Sequence, residues 1–165
     1  MARTATASKP SSVATATANG GSYRLVLRLN RSANLEVGRR GTVTLPPGLY
    51  VYVGSARRNL AQRVARHQRL ARTKEGRRHW HVDALLLHPD SELVVAELHP
   101  GAEECPLLQA TLRLAGSSVP VPGFGATDCR AGCPAHLVAF PTAALAHFAA
   151  RPPGDLAGNG RGGSL

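Results

Sequence analysis

From Tyr23 the apolar positions alternate, with Tyr23, Leu25, Leu27 and Leu29 on one side and Arg24 and Arg28 on the other. A period of two predicts a half-buried strand. Asn30 to Asn34 supplies a turn. Leu35 to Leu45 reads as a second, weaker strand region, interrupted by Gly38 and Gly41. Pro46-Pro47-Gly48 punctuates the chain before a third strand, Leu49 to Val53, which runs into Gly54. The period then changes. Leu60, Val64, His67 and Leu70 recur at helical spacing, which predicts a helix from about Leu60 to Thr73 with Asn59 as its N-cap.

Further along, His79 to Leu87 opens another helix or a helix-strand junction, and Leu93 to Leu98 is a clear strand. Glu103 to Leu114 predicts a helix, with Pro106 tolerated in its first turn and Gly116 as its stop. His136 to Phe140 is a last strand, followed by a short Ala-rich helix to Ala150. Strands and helices interleave without a repeat. The expected fold is a small α/β (α+β) sandwich, a mainly antiparallel sheet flanked by helices.

Composition sets the limits of the folded unit. Residues 1–20 are low-complexity Ala/Thr/Ser and predict a disordered extension, residues 21–150 the domain, and 151–165 a Gly/Pro-rich flexible tail. The acid-free start resembles an organellar transit peptide in composition, but a disordered extension is the plainer reading. No run of eighteen apolar residues occurs and no apolar signal core follows the first basic residues, so neither a membrane span nor secretion is expected. The expected setting is the cytosol.

Charge narrows the partner. The chain carries a net +10 over 165 residues, and the excess is segregated. Tyr23 to Arg78 holds thirteen Arg and one Lys against Glu36 and Glu75; His79 to Asp128 holds seven acids against Arg113 alone. Codon bias accounts for Arg over Lys, but not for this separation. A one-sided basic field favours a polyanion such as nucleic acid.

Several constellations bear chemistry. Arg63 and His67, four apart, share a helix face just after the glycine at Gly54, which has no Cβ to hold a phosphate away. Gly54, Ser55, Arg57, Arg58 and Arg66 are the accompanying candidates for nucleic-acid contact. His79, His81 and Asp83 offer a metal set if the backbone there is extended; the alternative is Trp80 as a core anchor with the histidines flanking it. Cys129, Cys133 and His136, with Asp128 adjacent and Cys105 elsewhere, offer a structural Zn2+ site, although the spacing is wider than a CxxC knuckle. Three cysteines do not suit a disulfide framework. Gly123 to Asp128 reads as a tight loop that exposes its backbone.

Taken in order, Gly21-Ser22-Tyr23, Gly48 to Ala56, Arg63 to His67, His79 to Asp83, Glu104-Cys105, and Gly123 to Cys129 with His136-Leu137 resemble the GIY-YIG nuclease superfamily. The closer resemblance is to its GIY-YIG-like domain of uncharacterised function, found alone or attached to endonuclease III in archaea and bacteria. The resemblance spans about residues 21 to 140. It implies a catalytic set of Tyr23, Tyr52, Arg63 and His67, and Glu104 as ligand to Mg2+ or Mn2+. It implies hydrolysis of phosphodiester bonds in DNA, in repair or processing, with a DNA-repair protein as a partner; a binding module that does not cleave is the alternative. Tyr23 and Tyr52 lie 29 positions apart, farther than the short hairpin usual in the superfamily. Gly48-Leu49-Tyr50 spells the first motif but abuts the second, so Tyr50 is assigned to packing.

Overall fold

The computed structural model describes residues 19–149, so the expected extension and tail lie, but for Asn19 and Gly20, outside the described residues. Six strands and four helices follow one another: β1 Gly21–Leu29, β2 Ala33–Glu36, β3 Thr42–Leu45, β4 Gly48–Ala56, α1 Leu60–Thr73, α2 His81–Leu86, β5 Ser91–Pro100, α3 Glu104–Leu112, β6 Leu137–Phe140 and α4 Ala146–Ala149. Strands β5, β1, β4 and β6 form one antiparallel sheet in that order, and β2 and β3 a separate two-stranded ribbon. The expected mixed fold with an antiparallel sheet is the one observed. No helix among the described residues is long and apolar enough to cross a membrane.

Both faces of the sheet are covered. Tyr23, Leu25, Leu27, Tyr50 and Tyr52 point toward α1 and α2, where Leu60, Val64, Leu70, Val82 and Leu85 meet them. Val26, Leu49, Val51 and Val53 point the other way, onto Leu107 and Leu108 of α3 and Phe148 of α4. Truncating a fully buried leucine such as Leu25 or Leu108 to alanine costs about 2–5 kcal/mol in such cores.

β1 is therefore not half-buried as its alternation suggests. The polar face lies under α3 and α4, and Arg24, only 6% exposed, is kept there by pairing. Its Nε and Nη2 lie 2.7 and 2.6 Å from Oε2 of Glu97, its cross-strand neighbour on β5, and its guanidinium lies over the Phe148 ring. Charges of opposite sign placed opposite each other let this position stay buried.

Two local expectations change. The weak strand region from Leu35 is two strands joined through a 3-10 turn, Gly38–Arg40, because Gly41 reverses the chain in the left-handed region at φ 73°. Asn59 precedes α1 but does not cap it with its side chain; its backbone is left-handed, and its side chain meets Asn19 instead. The stripe Leu60, Val64, His67 and Leu70 is the buried face of α1, as the spacing predicts.

Candidate active site

The 29-residue gap does not separate the tyrosines. The β2–β3 ribbon absorbs it, and β1 pairs directly with β4, placing Tyr23 opposite Gly54 and Leu25 opposite Tyr52. The two rings lie on the same face of the sheet with centroids 6.4 Å apart. Gly54 is not a turn: β4 continues through it to Ala56. What it provides is room, since a Cβ there would overlap the Tyr23 hydroxyl and ring. Tyr50 packs in the core, as expected, and its hydroxyl donates to the Pro46 carbonyl at 2.5 Å.

Behind Tyr23 stands a buried chain of polar groups. Its hydroxyl lies 3.0 Å from Nε2 of His67, and Nδ1 of His67 lies 3.5 Å from Oδ1 of Asp83, too far to be a short hydrogen bond. His67 and Asp83 are both fully buried. Asp83 accepts from Nη1 and Nη2 of Arg66 at 3.2 and 2.9 Å, and from the amides of His79 and Trp80 at 2.7 and 3.1 Å. Sitting in the first turn of α2, it reaches back to the N-cap amide, as a capping carboxylate does. Burial by itself would raise its pKa; His67, Arg66 and the two amides outweigh that and hold the carboxyl well below the usual carboxylate range.

The tyrosines respond the other way. Burial pushes the Tyr23 phenol up to about 12, with the nearby Arg63 guanidinium opposing the rise. Burial, reinforced by Tyr23 and Glu104, raises Tyr52 as well. Both are neutral phenols near pH 7.

A cleft of about 260 Å³ opens over this set. Tyr23, Tyr52, Arg63 and Glu104 line it, together with Ser55, Gly125, Asp128, Cys129 and His136. Arg63 is held at its edge: its guanidinium lies 4.0 Å from the Trp80 ring centroid, and Arg66 approaches the same ring at 4.8 Å. Trp80 thus packs against the edge of the core, as weighed from the sequence, and on the cleft side it is also a cation–π clamp. An aromatic flanked by two histidines carries no signal of that role; only the partner arginines, one turn apart on α1, reveal it.

Other candidates sit differently. The proposed metal set of His79, His81 and Asp83 does not assemble, because α2 begins at His81 and turns the three apart. His79 is exposed beside Trp80, and Nδ1 of His81 accepts a hydrogen bond from the Gly125 amide at 3.1 Å. Ser55, Arg57 and Arg58 are exposed; Ser55 lines the cleft and, with Arg57 and Glu104, a second depression, while Arg66 is committed to Asp83 and the Arg77 carbonyl. Gly125 needs its left-handed φ of 71°, and a Cβ there would press on the Tyr52 ring.

Glu104 opens α3 with 27% of its side chain exposed, and its Oε1 lies 3.3 Å from Nδ1 of His136. A carboxylate facing a cleft, with Asp128 also on its lining, is the kind of donor that Mg2+ or Mn2+ takes, since these ions are held by one or two protein carboxylates, water and substrate phosphate. Beside it, Cys105, Cys129, Cys133 and His136 form the one metal-capable cluster of three or more such side chains among the described residues, with ligand atoms within 4.8 Å of one another.

A family model described as "Domain of unknown function DUF123" matches residues 22–151, a span reaching from β1 past α4. No curated protein and no solved structure matches the chain.

Proposed function

The chain belongs to the family described as a domain of unknown function, DUF123, so its activity is argued from its own side chains, and we propose a metal-dependent endonuclease of the GIY-YIG type that hydrolyses phosphodiester bonds in DNA. Repair or processing of DNA in the cytosol is the setting this reading implies, with a repair protein as a partner. The observation that carries it is the 3.0 Å contact between the Tyr23 hydroxyl and His67 Nε2, made at the base of a cleft that Arg63 and Glu104 also line.

A phenol with a pKa near 12 populates phenolate at pH 7 in only about one molecule in 100,000. A free tyrosinate is therefore too rare to serve as the base here, and the neighbouring imidazole resolves the difficulty. As Tyr23 takes the proton from the attacking water, it passes its own to Nε2 of His67. Asp83, ionised and fixed by Arg66, offsets the charge that forms on the imidazole ring. Tyr23 never has to exist as an isolated anion.

Arg63, clamped against Trp80, is placed to stabilise the negative charge that grows on the phosphate oxygens. Glu104 would hold Mg2+ or Mn2+, which when bound neutralises phosphate charge and favours departure of the leaving oxygen. Tyr52, buried behind Tyr23, shapes the cleft floor with its hydroxyl near the same face.

The test is purified protein with Mg2+ or Mn2+ and a panel of branched, nicked and abasic DNAs. Metal-dependent cutting that disappears in Glu104→Ala and Arg63→Ala is the expected result. Cutting that survives both changes would sink the site. A second reading draws support from the exposed Arg57 and Arg58 that directly follow β4: a module that binds nucleic acid without cleaving it. Salt-sensitive binding with no metal-dependent cutting would select that reading instead.

A further inference from the structure

The sequence spacing offers Cys129, Cys133 and His136 as metal donors without a settled fourth. The fold supplies it. Cys105, in the first turn of α3, brings its Sγ to 3.6 Å from that of Cys129, 24 residues away in sequence. We propose that Cys105, Cys129, Cys133 and His136 bind Zn2+ in a closed Cys3His centre, which clamps the loop before β6 onto the start of α3.

The distances suit the ion. A tetrahedron of thiolates about 2.3 Å from zinc has edges of about 3.8 Å. The Cys105–Cys129 separation of 3.6 Å matches such an edge and is far beyond a disulfide bond of about 2.05 Å. All four ligand atoms lie within 4.8 Å of one another, so a small inward movement closes the shell.

A second observation points to a ligand. His136 is 3% exposed, and both of its ring nitrogens are buried without a hydrogen-bond partner; the Glu104 oxygen near Nδ1 is not aligned for one. An imidazole buried this way is unfavourable unless something satisfies it, and a metal bond at one nitrogen does so.

Donor chemistry selects the metal. Three sulfurs and an imidazole suit zinc and exclude Mg2+ or Mn2+, which take oxygen. Four protein donors leave no open position for water, so the centre holds structure and performs no Lewis-acid step. On binding, the three thiols release their protons to solvent, and the centre carries a net charge of −1.

Its placement gives it a consequence. Cys105 directly follows Glu104, and His136 touches Glu104 at 3.3 Å. The segment that contains Cys129 also delivers Gly125 and Asp128 to the cleft. An ion at this point therefore fixes one wall of the cleft and the turn that presents Glu104.

The experiment uses the full-length chain, purified reduced and without oxygen, with metal content measured and Co2+ substituted for spectroscopy. About one zinc per chain is expected, with thiolate-to-cobalt absorption of a tetrahedral site and a lower melting temperature after chelation. Cys105→Ser, Cys129→Ser and Cys133→Ser should each weaken zinc binding by at least about tenfold. The cobalt spectrum of the unmodified chain needs no variant to fold. No zinc after reconstitution and no thiolate band would overturn the proposal. So would Cys105→Ser that binds zinc, in competition with a chelator, as tightly as the parent. Both readouts are taken without DNA, so their failure leaves the nuclease reading intact, and absence of cleavage leaves the zinc centre intact.

Discussion

The Tyr23 hydroxyl and Nε2 of His67 lie 3.0 Å apart across 44 positions of sequence, one on the sheet and one on the buried stripe of α1. The contact does two things at once. It satisfies a buried phenol, and it gives that phenol somewhere to send its proton.

Tyr23→Phe separates these roles. The ring and its packing remain, while Nε2 of His67 loses its partner at a cost of about 1–3 kcal/mol. Metal-dependent cleavage should fall by about 10²–10⁴-fold, with DNA binding little changed. Comparing single-turnover rates with binding measured in Ca2+ would check this. A variant that binds and cuts like the parent would remove Tyr23 from the mechanism.

Asp83→Asn tests the next position of the chain. The amide keeps some hydrogen bonding to Arg66 and the backbone amides but no charge to face His67. Arg66 retains 18% side-chain exposure, so its freed charge stays partly solvated. A loss of about 1.5–3 kcal/mol is expected, the range for hydrogen bonds to charged groups. The pH dependence has a definite sign. Asp83 has a depressed folded pKa, so its contribution is present above its unfolded value near 4 and is lost as pH falls toward the folded one. Chemical denaturation between pH 7 and pH 3 should show the parent losing stability at the acid end, and Asp83→Asn losing less. An identical acid limb in the two would mean the carboxylate is not what the fold protects.

Much of this was legible in sequence where one local period decides the outcome. The stripe Leu60, Val64, His67 and Leu70 placed His67 inside, and the strand pattern placed Tyr23 and Tyr52. Legibility ended where a side chain had two local options. His79, His81 and Asp83 alternate as a metal set in extended backbone, but the Asp83 carboxylate reaching the His79 and Trp80 amides starts a helix there. Pairings over long separations were equally hidden: Arg24 with Glu97, Trp80 under Arg63, and Cys105 beside Cys129 all follow from strand register and helix placement. Even the gap between the tyrosines reads as a defect until the β2–β3 ribbon is seen to loop out of the sheet.

Gly54→Ala probes that register directly. The new methyl group would meet the Tyr23 hydroxyl and ring, which are locked on the far side by His67. Neither neighbour is a flexible chain end, so β1 and β4 must spread or the phenol must leave the imidazole. Overpacking of this kind costs about 1–3 kcal/mol. Cleavage should drop by more than stability alone explains, because the Tyr23–His67 contact lengthens. Thermal melts together with the histidine NMR signals would detect it, and an unshifted His67 resonance would contradict the account.

The exposed arginines just after β4 give a prediction independent of cleavage. Arg57 and Arg58 follow β4 directly and, unlike Arg66, make no ion pair among the described residues. If they meet phosphate, each displaces about one counterion, so Arg57→Ala or Arg58→Ala should lower the slope of log K against log salt by about 1. Affinity should fall for every DNA sequence alike, since a phosphate contact carries no base information. Arg66→Ala should behave differently: it exposes Asp83 to an uncompensated site, so its first effect is on stability. Fluorescence titrations at three or more salt concentrations, with a melt of each variant, distinguish the two classes. Unchanged slopes for Arg57→Ala and Arg58→Ala would place the nucleic-acid path on another face, along Arg69 and Arg72 of α1.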